Sequence, residues 1–263
     1  MIRSARAHLL LLTSRNYLLA GLGCTGLLAF ITVMLNVGEA EATVDERGPL
    51  GEAPTMDQLA SSQGLALALG GTITLVGLVL MALNASAVAS DHSTGIVRNM
   101  LVRQPSRLRL LAGKSLALAA ATLAATALVV AVTIGAGLAF APAGVDTAKW
   151  FTGDGLRALA ETGGNLYLAA LGWGVLGQVV ATLSRSSVVS LATGVLIAIP
   201  LDMIVSDTIQ SARPLLPGQL FQAVARGGTQ HLDYGSSLAT VLAGGVAALT
   251  LALAVFRRRD VTS

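Results

Sequence analysis

Residues 91–114 read DHSTGIVRNMLVRQPSRLRLLAGK, a basic island set between two long apolar runs. It carries Arg98, Arg103, Arg107, Arg109 and Lys114. No charged residue occurs from Gly64 to Ser90, and none between Lys114 and Asp146. Each flank can supply the roughly 20 residues that a helix needs to cross a bilayer. A short arginine-rich turn between two such runs stays in the cytoplasm, because the positive-inside bias opposes its translocation. This stretch therefore predicts an antiparallel pair of spans and gives the whole chain an inside face.

The composition agrees. Apolar residues make up 54% of the chain and charged residues 12%, about half the charge of a soluble domain. Mean hydropathy is +0.72. The net charge of +3 is small, and its arginines cluster at the edges of apolar runs. No basic patch is interleaved with aromatics, which argues against nucleic acid as a partner. Cys24 is the single cysteine, so an intramolecular disulfide and a cysteine metal cluster are excluded. It reads as a small apolar packing residue.

Taken in order, the chain predicts an all-α polytopic membrane protein with six transmembrane helices, one transmembrane domain over residues 1–263. Residues 1–16 form an amphipathic interfacial helix, with Ile2, Ala5, Leu9 and Leu12 on one side and Arg3 and Arg6 on another. Leu10 and Leu11 fall outside that stripe. The spans cover about 17–37, 64–89, 115–140, 165–183, 187–205 and 236–256. A cleaved signal peptide is the rival reading of the start, but the run from Tyr17 to Val37 exceeds the ~7–15 residues of a signal core. An acidic outer loop, Asn36 to Gln63, follows the first span. The loop from Ala141 to Gly164 offers Trp150 and Phe151 to the outer interface. Leu220 to Arg226 reads as a short helix dipping into the outer leaflet. With both ends inside, twelve basic residues fall on the cytoplasmic side and five outside, the bias expected of this orientation. The spans leave no room for a soluble catalytic domain.

Catalytic and ligand-binding patterns are sparse. Ala112-Gly113-Lys114-Ser115 ends like a phosphate loop, but Leu108 stands where its first glycine belongs. The pairs Asp91-His92 and His231/Asp233 lie on opposite sides of the predicted membrane and read as interfacial polar residues. No metal-ligand spacing is visible. Asp202, near the outer end of the fifth span, is a candidate for the substrate path or a subunit interface; snorkelling or capping is the other reading. Asn84 and Gln178 are polar mid-span residues suited to packing or interhelical hydrogen bonds.

The central loop, with Asp91, Ser93-Thr94-Gly95, Arg98, Leu101, Pro105, Arg107 and Gly113-Lys114, resembles the first cytoplasmic loop of type-2 ABC exporter permeases. That loop commonly runs acid, Thr-Gly-Thr, arginine, a leucine pair, proline, arginine and a closing lysine. Here Asp91 replaces glutamate, Ile96 the second threonine and Met100 the first leucine. The interfacial N-terminal segment, the six spans and Pro214-Leu215-Leu216-Pro217-Gly218 before the last span match the same layout. The resemblance implies that residues 91–114 form a coupling loop docking on a separate ABC ATPase subunit, present in two copies. Asp91, Thr94, Gly95, Arg98, Leu101, Pro105, Arg107 and Lys114 would make the contact. This chain would bind no cofactor itself, with ATP and magnesium held by the partner ATPase. A second permease chain would pair with it as a homodimer or heterodimer, the path running between them beside Asn84 and Asp202, and Ile209 to Arg226 would lid its outer mouth. The implied setting is a bacterial plasma membrane, with both termini cytoplasmic and membrane lipid around the spans. The implied role is export of an amphiphilic or hydrophobic substrate such as a drug, peptide or lipid, without catalysis by this chain. Two other readings stay open: a lipid-acting membrane enzyme using Asp202, His231 and Asp233, and a membrane sensor or immunity protein that transports nothing.

Overall fold

A chain buried in hydrocarbon must satisfy its own backbone, and this one does so with helices. The computed structural model describes residues 15–38, 54–93, 107–184, 186–197 and 202–258. Their elements are α1 (Arg15–Gly38), α2 (Met56–Leu59), α3 (Gly64–Gly70), α4 (Ile73–Ser93), α5 (Arg107–Ala139), a 3-10 turn (Thr147–Phe151), α6 (Gly153–Ser184), α7 (Ser187–Leu196), α8 (Asp202–Thr208), a second 3-10 turn (Gln210–Leu215), α9 (Pro217–Arg226) and α10 (Tyr234–Arg258). No strand occurs among the described residues.

Three helices are long and apolar enough to cross a membrane: Ala112–Ala139 within α5, Gly153–Ser184, and Tyr234–Val255 within α10. A fourth arises if α3 and α4, bent by 41° at their break, act as one span. The protein is thus an all-α, multi-helix membrane protein. The other two predicted spans do not reach that length among the described residues. The apolar stretch of α1 is Gly21–Val37. The predicted fifth span runs as α7 and then, beyond residues 198–201, as α8. Ten residues of α7 reach only about 15 Å.

Helix α6 is the axle. Within its most apolar window 56% is buried, against 6% for α10, and it packs on α3, α4, α5, α7, α9 and α10. Lipid gives helices no hydrophobic reason to associate, so close contact of their surfaces must do it. Two glycines make that contact possible. A side chain at Gly177 would strike the carbonyl of Met81 on α4, and one at Gly77 would strike the indole of Trp173 on α6. Leu69, Ile73, Met81, Leu166 and Trp173 fill the core between these helices.

Two of the loops between the predicted spans depart from expectation. Trp150 is packed inside the fold: it is 1% exposed, and its indole N–H donates to the carbonyl of Leu59 at 2.8 Å. Asp146 starts its turn by accepting from the Ala148 amide at 3.1 Å. Thr55 and Gln58 close a reciprocal capping box on α2, which sets the Leu59 carbonyl in place. Since that packing sits on the start of α6, the helix begins at Gly153 rather than near Asn165. Cys24 also departs from expectation, being exposed on α1 rather than packed inside.

Candidate functional site

Two ends of the bundle hold the residues of interest. At the first, α4 runs to Ser93 and α5 begins at Arg107. Asp91 lies in the last turn of α4, and Arg107 is the first residue of α5. Thr94, Gly95, Arg98, Leu101 and Pro105, like residues 1–14 of the interfacial helix predicted over 1–16, lie outside the described residues, and residues 15 and 16 begin α1.

Lys114 is 8% exposed, and its ammonium donates to the carbonyl of Ala87 on α4 at 2.7 Å. Its aliphatic stem lies in the apolar contact while its head reaches a carbonyl, the usual way a lysine is accommodated there. The C-terminal end of α4 also favours a cation through the helix dipole. Lys114 is therefore a strut between the two helices. One residue on, Ser115 and Gln178 exchange hydrogen bonds at 3.2 and 3.0 Å, joining α5 to α6. Gln178 thus serves between helices as its mid-span position allowed. Asn84 does not: its amide donates to Leu80 in its own helix at 2.7 Å. It borders an apolar cleft with Gly21, Leu22, Leu83 and Leu118.

At the opposite end, α9 lies across the bundle. Its apolar side is Leu220, Phe221, Ala223 and Val224, all buried, a helical spacing that its sequence displays openly. Phe221 packs on Trp173 with ring centroids 4.9 Å apart, and Gln222 donates to the Thr74 hydroxyl at 3.1 Å. Helix α9 has no side-chain cap of its own: Leu216 occupies the cap position and Pro217 begins the helix. Asp202 of α8 stands beside that position. It is 3% exposed, its carboxylate touches Gly218 and faces the amide of Gln219, yet neither oxygen closes a well-formed hydrogen bond. Asp202 is thus a buried carboxylate at the start of α9.

The other acid–base candidates do not join it. His231 and Asp233 follow the far end of α9, about 15 Å away by helix rise. Both are exposed, and Asp233 accepts from the Ser236 amide at the start of α10. Near them a polar cavity of about 530 Å³ is lined by Gln58, Arg226, Thr229, Asp233 and Tyr234. Among the described residues no three of His, Cys, Asp and Glu are grouped to hold a metal ion.

Sequence reasoning missed the strut role of Lys114 and the seating of Trp150. The first was hidden because a lysine closing a basic loop reads as part of its charge. The second has a signal in hindsight: an aromatic following Asp146 at cap spacing.

Residues 57–262 match the family described as "Protein of unknown function (DUF2705)". The match covers most of the chain, from α2 through α10, and the chain belongs to that family. No curated protein matches it.

Proposed function

We propose that this chain is the membrane-spanning permease subunit of an ATP-driven ABC exporter. In this reading six segments cross a bacterial plasma membrane, with both termini and the 91–114 loop in the cytoplasm. Two permease chains and two ATPase subunits make the machine, with ATP and magnesium on the ATPases. The cargo is amphiphilic or hydrophobic, because the helices present apolar and small residues and few charges.

One observation carries the proposal: the basic loop is mounted between two long helices that are strutted together at its base. A push on residues 94–106 enters α4 and α5 jointly, because Lys114 ties one to the other. Helix α4 in turn packs on the axle α6, so a displacement at the loop reaches the bundle as a rigid-body motion. A loop that merely set topology would need its arginines but no strut. The lidded outer end, where α9 is seated on α6, fits a path that must be closed from outside. The enzyme reading loses support, because His231 and Asp233 stand at the other end of α9 from Asp202.

The test is an affinity pull-down of the tagged chain from its native membranes in mild detergent. The expected result is a stoichiometric ABC ATPase that is lost when Arg98 and Arg107 are changed to glutamate. Recovery of no ATPase, even after crosslinking, would overturn the exporter reading. Normal transport by the Arg98→Glu/Arg107→Glu variant would remove the loop from the mechanism.

A further inference from the structure

We infer that the cleft between α1, α4 and α5 holds one acyl chain of an anionic phospholipid from the surrounding bilayer, with the headgroup at the end of the bundle that carries the basic loop.

The cleft exists because α5 turns short side chains to α1 at this level. Farther along, the two helices are in contact: a side chain at Gly26 would meet Leu128, and Phe30 meets Phe140 edge-on with ring centroids 5.6 Å apart. At the level of Gly21 the α5 wall is Ala121, Ala124 and Ala125, too short to close the gap. Gly21 itself lies against α4, where an added Cβ would stand 3.1 Å from Leu83. What remains is a cavity of about 70 Å³. Ala124 on its rim is exposed, and the adjoining Leu123 is 54% exposed on a helix long and apolar enough to cross a membrane. The cleft therefore opens on the hydrocarbon side of the bundle.

Its chemistry selects the occupant. The lining is aliphatic apart from Asn84 and Thr122, and the Asn84 amide donates to the Leu80 carbonyl of its own helix. Such a space stays dry, because a water there lacks the several polar partners it needs. Left empty, the lining would forgo dispersion contacts on one side. A helix of a second copy, roughly 10 Å across, is too wide to enter. A single hydrocarbon chain is not.

Charge sets the headgroup and its end. Helices α1 and α5 run in the same direction, since Gly21, Gly26 and Phe30 meet α5 at successively later residues. Both therefore start on the same side of the cleft, α1 at Arg15 and α5 at Arg107. Arg15 stands about 9 Å along α1 from Gly21, and Arg109 about 14 Å along α5 from Leu118. Both lie within the roughly 15 Å of a single leaflet, half the hydrocarbon thickness. A phosphate at that depth falls among the positions of Arg15, Arg107 and Arg109, against one acid, Asp91, in the last turn of α4. Lys114 is engaged with Ala87 and is not needed. Clustered basic residues at a membrane surface attract anionic lipid.

The test uses the purified full chain in phosphatidylcholine nanodiscs doped with phosphatidylglycerol that carries a photoreactive diazirine in its acyl chain. Crosslinked peptides are located by mass spectrometry. Labelling in residues 80–84 and 118–125 should exceed that of α10 about tenfold, a preference of about 1.4 kcal/mol. Helix α10 is the control because Leu242, Val246 and Leu251 are exposed there. Ala121→Phe fills the space and should bring cleft labelling down to the level of α10, itself unchanged. If that variant is not recovered folded, Ala124→Phe blocks the cleft from its exposed rim and should do the same. The same diazirine on phosphatidylcholine should label the cleft severalfold less, and Arg15→Gln/Arg109→Gln should remove that difference. Equal labelling of cleft and α10 would leave only ordinary boundary lipid and overturn the inference. So would a cleft that labels only when the chain is diluted to one copy per disc, since a second copy would then cover it. A cleft indifferent to the headgroup would strike out the anionic lipid. No ATPase or cargo enters these measurements, so they stand apart from the exporter proposal.

Discussion

The two ends of this bundle are built on opposite plans. The end that carries the basic loop is made of long helices joined by polar struts, Lys114 to Ala87 and Ser115 to Gln178. The other end is made of short helices and turns wedged together by buried aromatics: Trp150 beneath α2, and Phe221 against Trp173. The first plan transmits, because a few directional bonds hold stiff rods in register. The second seals, because many small dispersion contacts add up only when surfaces fit closely. A strutted pair is held to move together.

The contrast fails if the end away from the basic loop is only a solvated loop, and Trp150→Ala tests that with the largest expected effect. Removing a fully buried tryptophan leaves a cavity and should cost about 3–5 kcal/mol. The Leu59 carbonyl would also lose its donor. The measurement is the thermal midpoint in detergent, with hydrogen exchange to locate the damage. Exchange should rise in residues 54–70 and 146–160 and stay unchanged near Lys114. A shift no larger than that of an exposed substitution would make Trp150 a surface residue.

What the sequence discloses follows from the same contrast. Charge and hydropathy are properties of single residues, so the helical class and the basic loop between two apolar runs are visible without coordinates. So is α9, whose apolar face repeats at helical spacing. Fit is a property of pairs far apart in the chain. Nothing near Trp150 names Leu59 as its partner, and nothing near Asp202 names Gly218. The segments at the end away from the basic loop read as loops because they carry prolines, glycines and charges, yet capping at Thr55 and Asp146 turns them into packed structure. Lys114 misled for a related reason. In a run of arginines its charge reads as one more cytoplasmic positive, whereas its position two turns into α5 faces α4.

The strut gives a middle-sized effect. Lys114→Met keeps most of the apolar stem and removes the donor, so the loss should include that of the charge-assisted hydrogen bond to Ala87, about 1.5–3 kcal/mol. The thermal midpoint should fall less than in Trp150→Ala. Exchange should rise in the last two turns of α4 while the far end of the bundle keeps its protection. If the exporter proposal holds, the same variant should still capture the ATPase but couple it poorly, because the loop residues remain while their lever is loosened. Arg98→Glu should give the reverse pattern: unchanged thermal midpoint and lost capture. A variant set in which stability and capture always fall together would erase the distinction between strut and contact.

The smallest expected effect discriminates most finely, because it asks whether the second strut is specific. Ser115 and Gln178 each serve the other as donor and acceptor, and Ser115 adjoins the lysine that ties α5 to α4. Interhelical hydrogen bonds in membrane proteins average only about 0.6 kcal/mol, since an unpaired group finds another partner nearby. Gln178 is 2% exposed and has little water to turn to, so Gln178→Leu and Ser115→Ala should each cost more than that average. A double-mutant cycle on the thermal midpoint should return a coupling of about 1 kcal/mol, with the double variant less damaged than the sum of the singles. Strict additivity would mean that the two residues are held by packing alone. That part of the bundle would then be sealed by fit, like the far end, with Lys114 still tying α5 to α4.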